Sequence, residues 1–439
     1  METFVIQGGQ KLHGSIETTA GKNAPVALLC ASLLVQNKVV LANMTRVEEV
    51  ERMLEILKSI GVTYRWQDEH TLWLDTSMPL RLSSIDRHAC EVTRASLLLV
   101  GALAKRAKQY KLYKSGGCTL GNRTIRPHIF ALQKLGVDIY STDEYYEVKN
   151  RLLQGQKVVM YESGDTPTEN TIMAAVLAKG KTVITFASAN YMVQDLCYFL
   201  VAAGANIKGI GTTTLTITGV KKLHAVKRYT ISPDPVDAMA WISLAITTKS
   251  RLTVRNCPLP FLELELEKLS VMGQKYIIHN RGFAKNGKIE TADITLIPST
   301  IHALPDKLYG RPFPGLNIDN VPLFVPLLTQ AKGETLVHDW CYENRAVYYV
   351  ELQKLGADVL LLDPHRARIK GPTSLKANRL NCPPALRPAM AILIAMIAAQ
   401  GKSYLHNTYM LERGYEDLLS RLRSIGVRID LQADTKHTV

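Results

Sequence analysis

The sequence has 439 residues, with 53 Lys and Arg against 39 Asp and Glu and a formal net charge of +14. Apolar residues make up 46% and charged residues 21%, a globular balance that excludes a disordered chain, a collagen-like repeat and a coiled coil. At this length two domains of roughly 200 residues each are expected.

In chain order, the opening METFVIQGGQ lacks a basic segment followed by an apolar one, so no signal peptide is expected. Its TFVIQGG reads as a strand that can belong to either domain. TTAGKNAPVALL, residues 18–29, then sets Lys22 and Asn23 just before an apolar helix. A helix N-terminus is a good place for a phosphate.

From there two phrases alternate along the chain. One is a helix ending at a glycine, followed by a β-rich run, as in LKSIGVTY or LQKLGVDIY. Its pivotal glycines are Gly61, Gly136, Gly204, Gly273, Gly356 and Gly426. Glycine can take the left-handed conformation that closes a helix. The other phrase is an apolar, Ala-rich helix, a short polar turn and a strand, as in AAVLAKGKTVITFA or ILIAMIAAQGKSYLHN. Each phrase recurs six times at intervals of about 70 residues. Six strand-helix units are therefore expected, in two domains of three, with RYTISPDPVDAM at 228–239 as the crossing point. A cleft between such domains is a natural small-molecule site.

The longest apolar run, Ala389–Ala399, is too short to span a bilayer and reads as a buried helix. The densest basic clusters, at 105–114 and 221–228, come with no nucleic-acid-binding motif and read as solvated helix ends and strands. Neither a membrane nor a nucleic-acid partner is expected, although the charge favours anionic ligands. The cysteines (Cys30, Cys90, Cys118, Cys197, Cys257, Cys341 and Cys382) are odd in number and form no CxxC pair. A reducing cytosol is expected, with no disulfide framework and no zinc site.

Three segments carry candidate chemistry. Lys22 and Asn23 form the first. The second is SGGCTLGNRTIRPH, residues 115–128, a glycine-rich loop with Cys118 near Arg123 and Arg126. Neighbouring cations favour a reactive thiolate. The other six cysteines lie in apolar or strand-like contexts and are expected to be inert. The third is LERGYEDLL, residues 411–419, where Arg413 is expected to open a helix and bind an anion. No GxxxxGK[ST], GxGxxG after a strand, HExxH or GxSxG occurs, which removes the commonest ATPase, dehydrogenase, zinc protease and α/β-hydrolase readings.

Together these segments resemble the enolpyruvyl transferase family over essentially the whole chain, GGCTLGNR being the most specific phrase. Its cysteine resembles the branch acting on UDP-N-acetylglucosamine rather than the shikimate branch. The resemblance implies two inside-out α/β domains, each of three repeated strand-helix units, joined by a double crossover. Residues 22–232 would form the first domain and 1–21 with 233–439 the second, with the active site in the cleft between them. The implied reaction moves the enolpyruvyl group of phosphoenolpyruvate to the 3-hydroxyl of UDP-N-acetylglucosamine and releases phosphate. That is the first committed step of peptidoglycan synthesis, in the cytoplasm, with no metal or redox cofactor. The implied partners are these two small molecules; no partner protein is indicated.

The resemblance puts Lys22, Arg123 and Arg413 around phosphoenolpyruvate and Arg387 near its carboxylate. Asn23, Arg94, His128 and Arg345 would line the substrate cleft, and Asp319 would lie next to the sugar hydroxyl. Cys118 matches the cysteine implicated in protonating the enol carbon, which the epoxide phosphonate fosfomycin alkylates. A trianionic donor needs permanent cations, and arginine adds bidentate contacts to carboxylate and phosphate. Addition to the enol needs a proton donor to carbon and a base on the hydroxyl. The chain also departs from the family pattern. The family's Asp-Leu-Arg reads Ala385-Leu386-Arg387, and its Ser-Val-Gly-Ala-Thr-Glu-Asn loop keeps only Thr168-Glu169-Asn170. Two further readings follow: an enolpyruvyl transferase with another nucleotide or sugar acceptor, or a catalytically impaired paralogue that binds phosphorylated ligands.

Overall fold

The computed structural model describes residues 2–114 and 124–433. They fall into two compact units. The first holds the described residues from Ala20 to Ser232; the second joins those up to Thr19 with those from Pro233 onward.

Each unit is built around three central helices, apolar except for the polar but largely buried Asp165–Ala175. In the first unit these are Asn23–Val35, Leu99–Leu103 and Asp165–Ala175. In the second they are Pro235–Thr247, Val321–Leu328 and Leu386–Ala398. Within a unit the three pack on one another. They are buried around nearly their whole circumference, including all thirteen residues of Pro235–Thr247. A helix apolar on every side can only sit inside a core, so helices occupy the centre of each unit and sheets the periphery. Truncating a fully buried side chain such as Phe324 should cost about 3–5 kcal/mol.

Each central helix leads directly into a strand, as the repeat predicts. Among the described residues there are six sheets, five of four strands and one of three. The four-stranded sheets share one order. Leu308–Tyr309, for example, runs parallel to Gly333–His338, which pairs antiparallel with Arg366–Gly371, itself antiparallel to Asp358–Asp363. Burial alternates along Arg366–Gly371, with Ala367 and Ile369 facing inward.

Three of the strands come from distant parts of the chain. Glu2–Gly8 lies between Gly401–His406 and Arg428–Ala433, antiparallel to both. Ser15–Glu17 runs parallel to Leu252–Pro258. In the first unit, Val226–Thr230 runs parallel to Lys38–Ala42.

The six pivotal glycines all have positive φ, from 86° at Gly356 to 103° at Gly136. Each follows a helical segment and turns the chain into a strand; the fifth segment, Ala346–Leu355, is a 3-10 helix. A residue with a Cβ is strained in this region, which is why the glycines recur at the repeat interval.

Candidate active site

The second unit carries an acid held between two arginines. Asp319 lies in the turn before the helix Val321–Leu328. Its backbone N–H donates to Asn317 Oδ1 at 2.9 Å. Glu265 anchors the same turn, accepting from Asn317 N at 3.3 Å and Asn320 Nδ2 at 2.7 Å. Burial raises the Glu265 pKa, against the opposing hydrogen bond from Asn320. Asp319 Oδ1 faces Arg345 Nη1 at 3.5 Å, and Oδ2 faces Arg387 Nε at 3.4 Å.

Arg345 is nearly fully buried, with 2% of its side chain exposed. Its Nε donates to Asp339 Oδ2 at 2.7 Å and its Nη2 to Asp339 Oδ1 at 2.6 Å and Ile318 O at 2.5 Å. Tyr349 Oη donates to Asp339 Oδ2 at 2.5 Å. Burial works to lower the Arg345 pKa, but the Asp339 carboxylate outweighs it and the net shift is upward. The guanidinium is therefore a permanent charge.

Arg387 occupies the first turn of the helix Leu386–Ala398, whose N-cap is Ala385. Its Nη1 donates to Tyr415 Oη at 3.2 Å. Burial pushes the Tyr415 hydroxyl up to about 12, Arg387 opposing the shift. Arg413 departs from expectation. It closes the short helix Tyr409–Glu412 rather than opening one. Gly414 N and Tyr415 N bond back to Leu411 O, and the next helix, Leu418–Ser424, starts only after Asp417 in the left-handed region. A Cβ at Gly414 would sit 2.2 Å from Leu386 Cδ2, so glycine lets the Arg413 turn pack against the start of the Arg387 helix.

The first unit carries the cationic helix entrance. Lys22 is the N-cap of Asn23–Val35, which has no side-chain cap and no acidic residue in its first turn. The positive end of the helix dipole is thus not offset by a first-turn carboxylate. Asn23 Nδ2 donates to Tyr191 Oη at 3.4 Å. Arg94 opens the 3-10 helix Arg94–Leu98 and donates from Nη2 to Thr124 O at 3.2 Å.

His128 is an interior residue, 3% exposed. Asn170 Nδ2 lies 2.9 Å from its Nδ1, and Thr166 Oγ1 lies 3.4 Å from its Nε2. Because an amide N–H only donates, Nδ1 is the acceptor and the proton sits on Nε2. Burial, with the charge of Arg94 adding to it, lowers the His128 pKa to about 3 and keeps the ring neutral. Asn170 Oδ1 accepts from Gly101 N at 2.7 Å, so the same amide ties two central helices together. Glu169 beside it is 2% exposed, and burial followed by the Asp165 charge raises its pKa well above the usual range.

Cys118 and Arg123 lie outside the described residues. Cys341 corrects the cysteine reading: it is exposed, in the bend after Trp340, rather than in an apolar or strand-like context. Sequence reasoning missed Asp339, Tyr349, Tyr415 and Glu265 as neighbours of the Asp319 site. Only Glu169 and Asn170 had a signal, the surviving Thr-Glu-Asn phrase. Among the described residues no three His, Cys, Asp or Glu side chains form a group that could hold a metal ion, and no helix is long and apolar enough to cross a membrane.

A family model described as EPSP synthase (3-phosphoshikimate 1-carboxyvinyltransferase) matches residues 6–422. The UDP-N-acetylglucosamine 1-carboxyvinyltransferase of Treponema denticola is 33% identical over 435 residues, covering 98% of this chain and all of that protein. The protein of the same description from Bradyrhizobium diazoefficiens is 33% identical over 97% of both chains. Among solved structures, the enolpyruvyl transferase NikO from Streptomyces tendae superposes with a TM-score of 0.85 at 21% identity, covering 98% of this chain and 99% of that one. That likeness shows the two-unit fold with its repeated sheets. The matching model and the full-length curated relatives show that the chain belongs to the enolpyruvyl transferase family and is an enzyme.

Proposed function

We propose that this enzyme transfers the enolpyruvyl group of phosphoenolpyruvate to the 3-hydroxyl of UDP-N-acetylglucosamine and releases inorganic phosphate, in the cytoplasm, as the first committed step of peptidoglycan synthesis. The observation that chiefly supports this is Asp319, whose two oxygens face Arg345 at 3.5 Å and Arg387 at 3.4 Å. The acceptor is supported by curated relatives of that activity that match almost the whole chain.

Asp319 takes the proton of the attacking sugar hydroxyl. The sugar oxygen bonds to C2 of phosphoenolpyruvate, and Cys118 gives a proton to C3, which becomes a methyl group. Loss of a proton from that methyl re-forms the double bond as the C2–O bond to phosphate breaks. Lys22, Arg123 and Arg413 hold the phosphate, Arg387 the carboxylate, and Asn23 and Arg94 the remaining polar groups, while the buried Arg345 acts through Asp319 rather than on substrate. His128, buried and neutral, acts by holding Thr166 and Asn170.

The test is phosphate release from phosphoenolpyruvate with and without UDP-N-acetylglucosamine. Release requires both substrates. Asp319→Asn lowers kcat by about 10²–10⁴-fold with little change in phosphoenolpyruvate affinity, because a base acts in the transition state. Release without the sugar nucleotide, or none with it, defeats the reading. A different acceptor is the second reading, favoured by the altered nucleotide-side loop. There Asp165 accepts from Ser188 Oγ at 2.6 Å and Asn190 Nδ2 at 3.2 Å. A panel of nucleotide sugars in the same assay separates the two.

A further inference from the structure

We propose that Asp339, backed by Tyr349, is a positioning residue that sets how strongly Arg345 acts on Asp319. The inference rests on the reading of Asp319 as the base.

The geometry gives Asp339 most of the Arg345 fork. Asp339 is 1% exposed and takes both Nε and Nη2, at 2.7 and 2.6 Å. The second Nη2 hydrogen is directed to Ile318 O. The Tyr342 ring lies 4.4 Å from the guanidinium carbon. What remains toward Asp319 is the Nη1 edge, at 3.5 Å, longer than a tight ion pair. Rotating the fork toward Asp319 would break two short bonds in a buried site.

Charge points the same way. Asp319 has a cation on each oxygen, Arg345 on one and Arg387 on the other. Cations stabilise the carboxylate and weaken it as a base. Asp339 offsets one of the two. Tyr349 Oη donates to the same Asp339 oxygen as Arg345 Nε and so draws off part of that offset. Among the described residues, two more ionisable groups bear on this site: Glu265 beneath the Asp319 turn and Tyr415, which bonds Arg387. Asp339 therefore keeps Asp319 basic enough to accept a hydroxyl proton while fixing the edge of Arg345 that meets it. Asp339 is not proposed to touch substrate.

The experiment is the pH profile of kcat for phosphate release by the full-length protein carrying Asp339→Asn, Asp339→Glu, Tyr349→Phe or Asp319→Asn. In Asp339→Asn the uncompensated Arg345 should lower the Asp319 pKa. The acid limb moves about one unit toward lower pH, kcat falls about 10-fold or more, and KM for phosphoenolpyruvate stays within about 3-fold. Asp339→Glu restores much of both. Tyr349→Phe moves the limb the other way, by a smaller step, because Asp339 then offsets Arg345 more fully. If Asp339→Asn does not fold, Tyr349→Phe and Asp339→Glu carry the test. Lower kcat with an unmoved acid limb in every soluble variant would make Asp339 a purely structural residue and overturn the proposal. Wild-type turnover in Asp319→Asn would instead remove the base reading itself, whatever the other variants do.

Discussion

Replacing His128 by Gln tests whether the buried imidazole is neutral, and the expected size follows from its surroundings. Its folded pKa is about 3, lowered first by burial and then by Arg94, while an unfolded His titrates near 6.5. Because the folded value lies below the unfolded one, its stabilising contribution is complete above about pH 6.5 and is lost as pH falls toward 3. At about pH 5.5 only the unfolded chain binds the proton, a loss of about 1.4 kcal/mol that grows to about 2 kcal/mol at pH 5. Glutamine cannot take up that proton. At about pH 8 the variant should be less stable by about 1–2 kcal/mol, because Asn170 loses a well-placed acceptor. The gap should then narrow by about 1.4 kcal/mol at pH 5.5. Asp195 works in the opposite sense. Burial raises its pKa to about 6 despite hydrogen bonds from Tyr229 and Ser232, so it adds stability as pH falls below 6. It is present in both proteins and cancels in the difference. Native-state hydrogen exchange of the helix Asp165–Ala175, measured for both proteins at each pH, reads the opening free energy of this unit. A gap that stays constant from pH 8 to pH 5 would refute a neutral buried His128.

Two more outcomes follow from the site. Ala385→Asp restores the family's acid at an N-cap that is extended (φ −138°, ψ 122°) and has no side-chain cap. Pro388 has no N–H, so the new carboxylate bonds Arg387 N, gaining about 1 kcal/mol and raising the thermal midpoint by about 2–4 °C. A fall in the midpoint would mean that the uncapped, fully buried position cannot take a charge. An epoxide phosphonate with UDP-N-acetylglucosamine should give one adduct, at Cys118, whereas iodoacetamide should also label the exposed Cys341. Cys30, Cys197 and Cys257 should resist both, since burial pushes their thiols up. Peptide mass spectrometry decides it, and a phosphonate adduct at Cys341 would argue against selection by the donor site.

The repeat was legible because two independent constraints recur in it. A glycine is required wherever a helix turns back into a strand, and an all-round apolar helix is required wherever the core is central. Composition and pattern record both. The cationic entrance at Lys22 was equally plain, since an apolar run with no acidic first turn marks its own positive end. Arg413 misled because a short helix and a following glycine read the same in either direction; only the bonds back to Leu411 O show that the helix is ending. Asp339 was invisible. It stands six residues before Arg345 at no helical spacing, and nothing local distinguishes it from a solvated acid. Tyr349 and Glu265 were lost for the same reason, as each acts across the fold rather than along it. The buried state of His128 depends on Asn170, which lies 42 residues away.

The strand Glu2–Gly8 has a consequence for how the protein is made. Its partners are Gly401–His406 and Arg428–Ala433. A ribosome adding about 5–20 residues per second needs roughly 20–80 s to reach them after the strand has emerged. Through that interval residues 20–232 can complete all of their own sheets, because every partner strand has already been synthesised. The earliest segment of the chain is thus among the last to find its place. It waits as an unpaired edge rich in Thr, Phe, Val and Ile, where chaperone capture or pairing between nascent chains on one message would act. A pulse of protease on stalled chains should cut within Glu2–Gly8 until the last repeat has emerged, and spare that strand afterwards.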